Sequence, residues 1–299
     1  MDLVTQKEKV KEYYNQEAKD YKLIYKDGFE EYPANQIRLK IILDRFKKTN
    51  VKTVLDIGCG SCAPMISILK EGYKVTGFDF SEEMVKNGKK ELEKAGFNPD
   101  LINIGDLEQN KNLPEGKFDA VIALGVFPHL LDEGKSLANM DKKLNDNGRV
   151  FIEFRNDLFA SYTLNKYSLD FFINRIIDLS SFPDKIKDEI TQFYQDRLKV
   201  DEAPQRVGDK ILYSDILAKF HNPLNIEKEL FKPNGFSIVD IHFYHYHSLP
   251  PIFQNKYPEL FKEASFKIEK PNDWRGYLMA SAFVVEAKKD AGTNKWSMV

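Results

Sequence analysis

Residues 52–62 constrain the fold of this chain more than any other stretch. A short apolar run at residues 54–57 ends at Gly58, and a second apolar stretch occupies residues 63–69. This order predicts a buried strand, a tight glycine turn and a helix. Gly58 and Gly60 leave no Cβ between the backbone and a ligand, and the start of a helix has N–H groups without partners. The turn therefore predicts a ligand site.

Strand and helix patterns alternate along the chain after this turn. Strands are predicted at residues 54–57, 73–78, 100–104, 118–124 and 150–154, with helices between them. Two further strands, at residues 236–246 and 277–287, predict an antiparallel final hairpin. The fold predicted is α/β, a doubly wound, Rossmann-like sheet of seven strands.

The domain organisation follows from where the alternation breaks. Residues 1–155 are predicted to form the ligand-binding core, including two N-terminal helices at residues 5–26 and 34–48. Residues 156–233 are helical and aromatic in pattern and predict a cap inserted over the sheet, although a helical elaboration that touches no substrate is the alternative. Residues 234–288 complete the sheet, and residues 289–299 form a frayed tail.

The spacing of Asp56, Gly58 and Gly60 resembles the first motif of class I S-adenosylmethionine (SAM) dependent methyltransferases of the small-molecule type, such as ubiquinone and sugar methyltransferases. That family usually has a third glycine at the position of Cys62. Residues 58–63 also fit the G-x-G-x-x-A fingerprint of dinucleotide-binding proteins. A carboxylate at Asp56 suits a cation or a ribose and would repel a pyrophosphate. An NAD-dependent oxidoreductase and a ligand-free structural turn remain alternatives.

Two later motifs extend the resemblance. Asp79 ends the second predicted strand at the spacing of a carboxylate that accepts both ribose hydroxyls, which NAD and SAM share. The family form D-x-S-x-x-M implies that Phe80 and Met84 border the adenine, and Asp106 resembles the aspartate that accepts the adenine amino group. The resemblance implies a cofactor site of Tyr14, Tyr21, Asp56, Gly58, Cys59, Gly60, Asp79, Phe80, Met84, Gly105, Asp106, Leu107, Leu124 and Gly125.

His129 follows the fourth predicted strand in an apolar segment. In related aminosugar methyltransferases the equivalent histidine faces the methyl acceptor, so the resemblance implies that His129 is the catalytic base. Its ordinary pKa of about 6.5 suits proton transfer near neutral pH. Capping of the next helix is the alternative role.

Other polar residues are expected at the same sheet edge, where ligands of such folds bind. The substrate contacts predicted are Glu153, Arg155, Asn156, Tyr167 and His245. His242, His245 and His247 could hold a metal only if the strand broke, and Cys59 and Cys62 are too few for a metal cluster. No metal site is predicted, and both cysteines are expected to pack around the turn.

Composition limits the partners. The 299 residues carry a net charge of −2, which argues against a dedicated nucleic-acid binder, and they contain neither a membrane-length apolar run nor a secretory leader. We therefore expect a cytoplasmic monomer or homodimer.

The function expected is SAM-dependent methyl transfer to a hydroxyl or amine of a small metabolite, such as a sugar or a sugar-derived compound. A catalytically idle SAM-binding module is a further alternative.

Overall fold

The computed structural model describes residues 3–18, 32–177, 179–180, 182–198 and 211–290. Its strands are β1 (Thr53–Ile57), β2 (Lys74–Asp79), β3 (Ile102–Ile104), β4 (Phe118–Ala123), β5 (Leu144–Arg155), β6 (Phe236–Tyr246) and β7 (Ala280–Lys289). Its α-helices are α1 (Leu3–Glu17), α2 (Ala34–Thr49), α3 (Ala63–Lys70), α4 (Glu82–Lys94), α5 (Glu133–Asp141), α6 (Ala160–Thr163), α7 (Lys166–Asp170), α8 (Asp184–Leu198), α9 (Pro258–Ile268) and α10 (Gly276–Met279).

Within these ranges the strands form one seven-stranded sheet in the order β3-β2-β1-β4-β5-β7-β6. The first five strands in this order, from β3 to β5, pair in parallel with their neighbours, whereas β7 is antiparallel to both β5 and β6. The predicted fold class is confirmed, including the antiparallel final hairpin.

Helices cover both faces of the sheet because the inner strands are apolar on both sides. Ile152 and Phe154 of β5 join one hydrophobic cluster, which α5 covers. Phe151, between them in sequence, points to the other face and joins the cluster that α2, α3 and α4 cover. The result is a three-layer core whose parallel strands end at one edge.

That edge brings together the turns that matter for a ligand. The strands β1, β2, β4 and β5 all end there, since they run in parallel. The end of β6 lies at the same edge, because Arg155 and Tyr244 both pair with Ala282 of β7. Side chains far apart in sequence therefore meet at the carboxyl edge.

Several predicted boundaries were displaced by local turns. The third strand begins at Ile102 rather than at residue 100, because the Asn98 side chain accepts a hydrogen bond from the backbone of Asp100 and caps a 3₁₀ turn. The last strand begins at Ala280, after the helical turn α10. The first helix ends at Glu17, and residues 19–26 of the helix predicted over residues 5–26 lie outside the described residues.

The described part of residues 156–233 includes α6, α7, α8 and a segment that lies at the carboxyl edge. The backbone N–H of His221 donates to the carbonyl of Arg155 at 2.8 Å, and the N–H of Asp157 donates to the carbonyl of His221 at 3.0 Å. These bonds fix the chain beside the end of β5. The predicted domain boundaries, including those of the cap, stay a prediction.

Candidate functional site

A cleft of about 740 Å³, open to solvent, lies at the carboxyl edge. Its walls include Tyr14, Gly58, Gly60, Asp79, Phe80, Met84, Gly105, Asp106, Leu107, Leu124, Gly125 and His129. The cleft thus brings together most of the predicted cofactor residues and the predicted base.

The glycine turn shapes the floor of this cleft. Gly58 has φ +67°, and a Cβ there would lie 2.5 Å from Cγ2 of Val126. Cys62, where the resembling family has a glycine, also adopts a left-handed conformation with φ +64°. Cys59 and Cys62 are both free and buried beneath the turn, so neither lines the cleft.

Asp79 is anchored by the turn itself. Its Oδ2 accepts from the N–H of Gly60 at 2.9 Å, and its Oδ1 accepts from the N–H of Ser81 at 2.8 Å. Burial raises the pKa of Asp79 to about 6, an increase that these backbone bonds oppose. Each oxygen keeps a further lone pair that can accept a ligand hydroxyl.

Asp56 lies behind the turn and does not line the cleft directly. It is 3% exposed, and its Oδ2 has no hydrogen-bond partner. Burial, reinforced by the nearby carboxylate of Asp79, raises the pKa of Asp56 to about 8, although the charge of Arg38 acts in the opposite direction. An unpartnered buried carboxyl oxygen of this kind favours a bound cation or a proton.

Phe80 and Met84 supply apolar walls of the cleft, and their contact with an adenine ring stays a prediction. Asp106 contacts the ammonium of Lys7, whose Nζ lies 2.8 Å from Oδ2 of Asp106 and 2.9 Å from Oε2 of Glu108. A carboxylate has about four acceptor sites, so Asp106 can accept a further donor beside Lys7.

His129 meets Tyr14 in the wall of the same cleft. The Tyr14 hydroxyl lies 2.9 Å from Nε2 of His129, and Nδ1 lies 2.5 Å from the carbonyl oxygen of Leu217. A carbonyl only accepts, so Nδ1 carries the proton and Nε2 accepts from Tyr14. Burial lowers the pKa of His129 to about 4. The imidazole is therefore neutral at neutral pH, with its basic nitrogen toward Tyr14.

Two of the predicted substrate residues lie near this pair. The Arg155 guanidinium sits over the ring of Tyr213, 4.6 Å from its centroid, and 5.8 Å from that of Phe220. Glu153 is held by an ion pair with Arg38 and accepts from the Tyr244 hydroxyl at 2.5 Å.

Asn156, another predicted substrate contact, is buried and already bonded within the protein. Asn156 is 1% exposed, and its side-chain amide donates to the carbonyls of Gly276, Tyr277 and Ala280. Its amide is therefore occupied in holding α10 to the end of β5, so the structure places Asn156 in a structural role.

Tyr167 is 49% exposed and lies against Phe220, on the outer side of the segment. His245 has φ +59° and stacks on Tyr32 with 5.1 Å between ring centroids. Tyr21, predicted to contact the cofactor, lies outside the described residues.

The histidines of β6 do not converge. His242 is buried 3.7 Å from a carboxylate oxygen of Glu286, whereas the ring of His245 lies 4.7 Å from that of His247. Among the residues that the structure describes, no group of three or more His, Cys, Asp and Glu side chains is placed to hold a metal ion.

Arg38 is the main site residue that sequence reasoning missed. Arginine side chains are mostly exposed in proteins, yet Arg38 is 5% exposed and contacts Glu153. The signal was present, because Arg38 precedes the buried Ile41 and Ile42 by three and four residues and so shares their helix face. Lys7 and Glu108 were missed as well, and no motif marks them.

Comparison with known proteins decides whether the glycine turn is a methyltransferase motif or a dinucleotide-binding fingerprint. Residues 55–152 match the sequence model of the methyltransferase domain family. This part of the chain is a methyltransferase domain. The resemblance to class I SAM-dependent methyltransferases is thereby confirmed, and SAM is the cofactor of this family. The match ends before residues 156–233, so that segment falls outside the shared domain.

The curated relatives align with the same part of the chain. The ubiquinone biosynthesis O-methyltransferase of Pasteurella multocida is 27% identical over 141 residues, which cover 44% of this chain and 58% of that enzyme. The glycine N-methyltransferase of Oryctolagus cuniculus is 30% identical over 131 residues, which cover 38% of this chain and 44% of the relative. The chain thus spans less than two thirds of the length of either relative.

A solved structure shares the fold over nearly the whole chain. Magnesium protoporphyrin IX methyltransferase from Synechocystis PCC 6803, solved with bound S-adenosylhomocysteine, superposes with a TM-score of 0.55 and 18% identity. The superposition covers 95% of this chain and 100% of that one. The agreement extends the shared fold to the final hairpin.

No helix in the described ranges is both long and apolar enough to cross a membrane.

The residues of the cleft fit SAM on their own chemistry. The unpartnered oxygen of Asp56 suits a cation, and Asp79 offers lone pairs to ribose hydroxyls. Arg38 adds a buried positive charge close to both Asp56 and Glu153. A buried guanidinium and a titratable carboxyl group behind the turn thus suit a ligand that carries both positive and negative charge, as the methionine part of SAM does.

Proposed function

We propose that this protein transfers a methyl group from SAM to a hydroxyl or amine of a small metabolite, with sugars and sugar-derived compounds as the favoured acceptors. One observation carries the proposal. The cleft that begins at Gly58 and Gly60 continues without interruption to His129. A donor at the turn and an acceptor at the imidazole would therefore share one cavity, which is what an in-line displacement requires.

The cofactor would be held by charge and by hydrogen bonds. Asp79 would accept the ribose hydroxyls, while Phe80 and Met84 would pack against the adenine. Asp56 and Arg38 would balance the charges of the methionine part. When bound, SAM supplies an electrophilic methyl carbon on a sulfonium.

The protein's own residues would handle the proton. Transfer to a hydroxyl or an amine releases one proton from the acceptor. Nε2 of His129 is the nitrogen without a proton, and the Tyr14 hydroxyl, 2.9 Å from it, lines the same cleft. The proton would pass to Nε2 directly or through the Tyr14 hydroxyl, which gives its own proton to Nε2 as it takes one from the acceptor. The bond from Nδ1 to Leu217 holds the imidazole in the required tautomer.

Arg155 would hold the acceptor beside the imidazole. Among the described residues its guanidinium contacts aromatic rings and no carboxylate, so its N–H donors remain available to oxygen atoms. Hydroxyl-rich acceptors such as sugars, and acceptors with a carboxylate, offer such oxygens. We expect Arg155→Met to raise the acceptor KM more than it lowers kcat.

The experiment that tests the proposal is methyl transfer from labelled SAM. Purified protein is incubated with a panel of sugars, amino sugars and hydroxylated or aminated metabolites, and products are identified by mass. Transfer to one class of acceptor, lost in His129→Ala, supports the proposal. Tight SAM binding with no transfer to any acceptor class would instead favour the idle SAM-binding module.

A further inference from the structure

Both carboxylate oxygens of Glu108, a residue that lines the cleft, make polar contacts. Oε1 accepts from the backbone N–H groups of Leu131 and Asp132, each at 2.8 Å. Oε2 lies 2.9 Å from Nζ of Lys7. Glu108 is 7% exposed, so these charge-assisted contacts are shielded from water. One carboxylate thus contacts two segments that are remote in sequence.

These two segments carry the Tyr14–His129 pair. Lys7 and Tyr14 both belong to α1 and both line the cleft, about two helical turns apart. Leu131, on the other side of Glu108, follows His129 by two residues. The carboxylates of Glu108 and Asp106 keep the pKa of Lys7 above its ordinary value, although burial acts to lower it. The link through Lys7 is therefore charged at neutral pH.

We infer that Glu108 is a positioning residue for His129. It holds α1 and the loop after β4 at a fixed separation, so that the Tyr14 hydroxyl reaches Nε2 and the imidazole stays buried. The expected effect of Glu108 on turnover rests on the proposed function. The expected effect on burial and protonation of the His129 imidazole does not, because the Tyr14–His129 contact is formed without an acceptor. The competing role is purely local, in which Glu108 only supports the start of α5.

The test compares three variants. Glu108→Gln keeps the shape of the side chain but removes its charge, and Lys7→Met removes the ammonium that joins α1 to both Glu108 and Asp106. Glu82→Gln is the matched control, because it removes an exposed ion pair of α1. In that pair Nζ of Lys11 lies 3.2 Å from Oε1 of Glu82. Imidazole signals are followed by NMR in labelled protein, and that of His129 is assigned by its absence in His129→Asn.

We expect the His129 signal to stay flat between pH 5 and 8 in the wild type and in Glu82→Gln, because burial keeps the pKa of His129 about 4. In Glu108→Gln and Lys7→Met the signal should titrate within this range, since a loosened pair admits water. At neutral pH, kcat of Glu108→Gln should fall by roughly tenfold or more.

A His129 signal that stays flat in both variants overturns the inference, whatever happens to kcat. If Glu108→Gln fails to fold, Lys7→Met is compared with Asp106→Asn, which weakens only the other contact of Lys7. Titration of His129 in Lys7→Met but not in Asp106→Asn supports the role of Glu108, whereas equal titration in both variants assigns the link to Asp106 and overturns the inference. If the wild type transfers no methyl group to any acceptor, the proposed function fails while the NMR result still decides the positioning role.

Discussion

The Tyr14 hydroxyl lies 2.9 Å from Nε2 of His129, and this contact joins α1 to the loop after β4. The two residues are 115 positions apart in sequence. Both residues line the cleft, so their contact joins two parts of its wall. It also gives the neutral imidazole a defined donor on the side that faces the cavity.

Replacing His129 by alanine should impair chemistry and spare cofactor binding. We expect kcat to fall by roughly 10²–10⁴, the usual span for loss of a general base, with SAM affinity within about twofold of the wild type. Steady-state kinetics and calorimetry measure the two effects separately. Unchanged kcat and KM with the true acceptor would remove His129 from the mechanism and direct attention to Glu153.

The pH dependence of cofactor binding should report Asp56. Its pKa of about 8 means that it binds a proton at neutral pH, and a bound ammonium or sulfonium favours the ionised form. Binding should then release up to one proton, and affinity should rise by up to about tenfold per pH unit between pH 6.5 and 7.5.

Asp79, with a pKa of about 6, is mostly ionised in that window, and Arg38 stays charged. Calorimetry with S-adenosylhomocysteine in buffers of different ionisation enthalpy counts the protons. Asp56→Asn is the control and should abolish the release. A proton count near zero in the wild type at pH 7 would contradict the assigned protonation of Asp56.

Gly88 of α4 should resist a substitution that helices ordinarily favour. An exposed helical Gly→Ala change stabilises by about 1 kcal/mol. At Gly88, however, the added Cβ would lie 2.7 Å from Sγ of Cys62 and 2.9 Å from the Gly60 carbonyl oxygen. We expect Gly88→Ala to lower the free energy of unfolding by about 1–3 kcal/mol and to weaken SAM binding.

The matched control is Gly134→Ala in α5, where the nearest atom is the flexible side-chain oxygen of Asn234 at 3.2 Å. Urea unfolding compares the two variants. Equal stability of Gly88→Ala and Gly134→Ala would show that α4 can move away from the turn.

Turnover should not depend on a divalent metal. Displacement at a methyl carbon needs no Lewis acid when the acceptor is already a good nucleophile. We expect unchanged initial rates after EDTA treatment, measured with and without added magnesium or zinc. A rate lost on chelation and restored by either metal would point to His242, His245 or His247 as ligands.

The sequence predicted the parts of this molecule that local chemistry determines. The strand–turn–helix around Gly58 follows from short-range rules, and it is present. The final hairpin was also predictable, because Phe236–Tyr246 alternates strongly and has a second long strand to pair with.

Long-range contacts could not be predicted from local patterns. Asn156 ends a strand at the ligand edge, yet three carbonyls from a distant turn occupy its amide. The ion pair between Arg38 and Glu153 joins residues 115 positions apart, and only the folded sheet brings them together. The Tyr14–His129 contact was missed for the same reason, although both residues had been singled out.

The central claim is that the cleft at Gly58 and Gly60 binds SAM. Titration calorimetry of the purified protein with SAM and, separately, with NAD tests it most directly. We predict a SAM dissociation constant in the micromolar range, about −7 to −9 kcal/mol, and NAD binding that is much weaker or undetectable. NAD binding tighter than SAM would contradict the account.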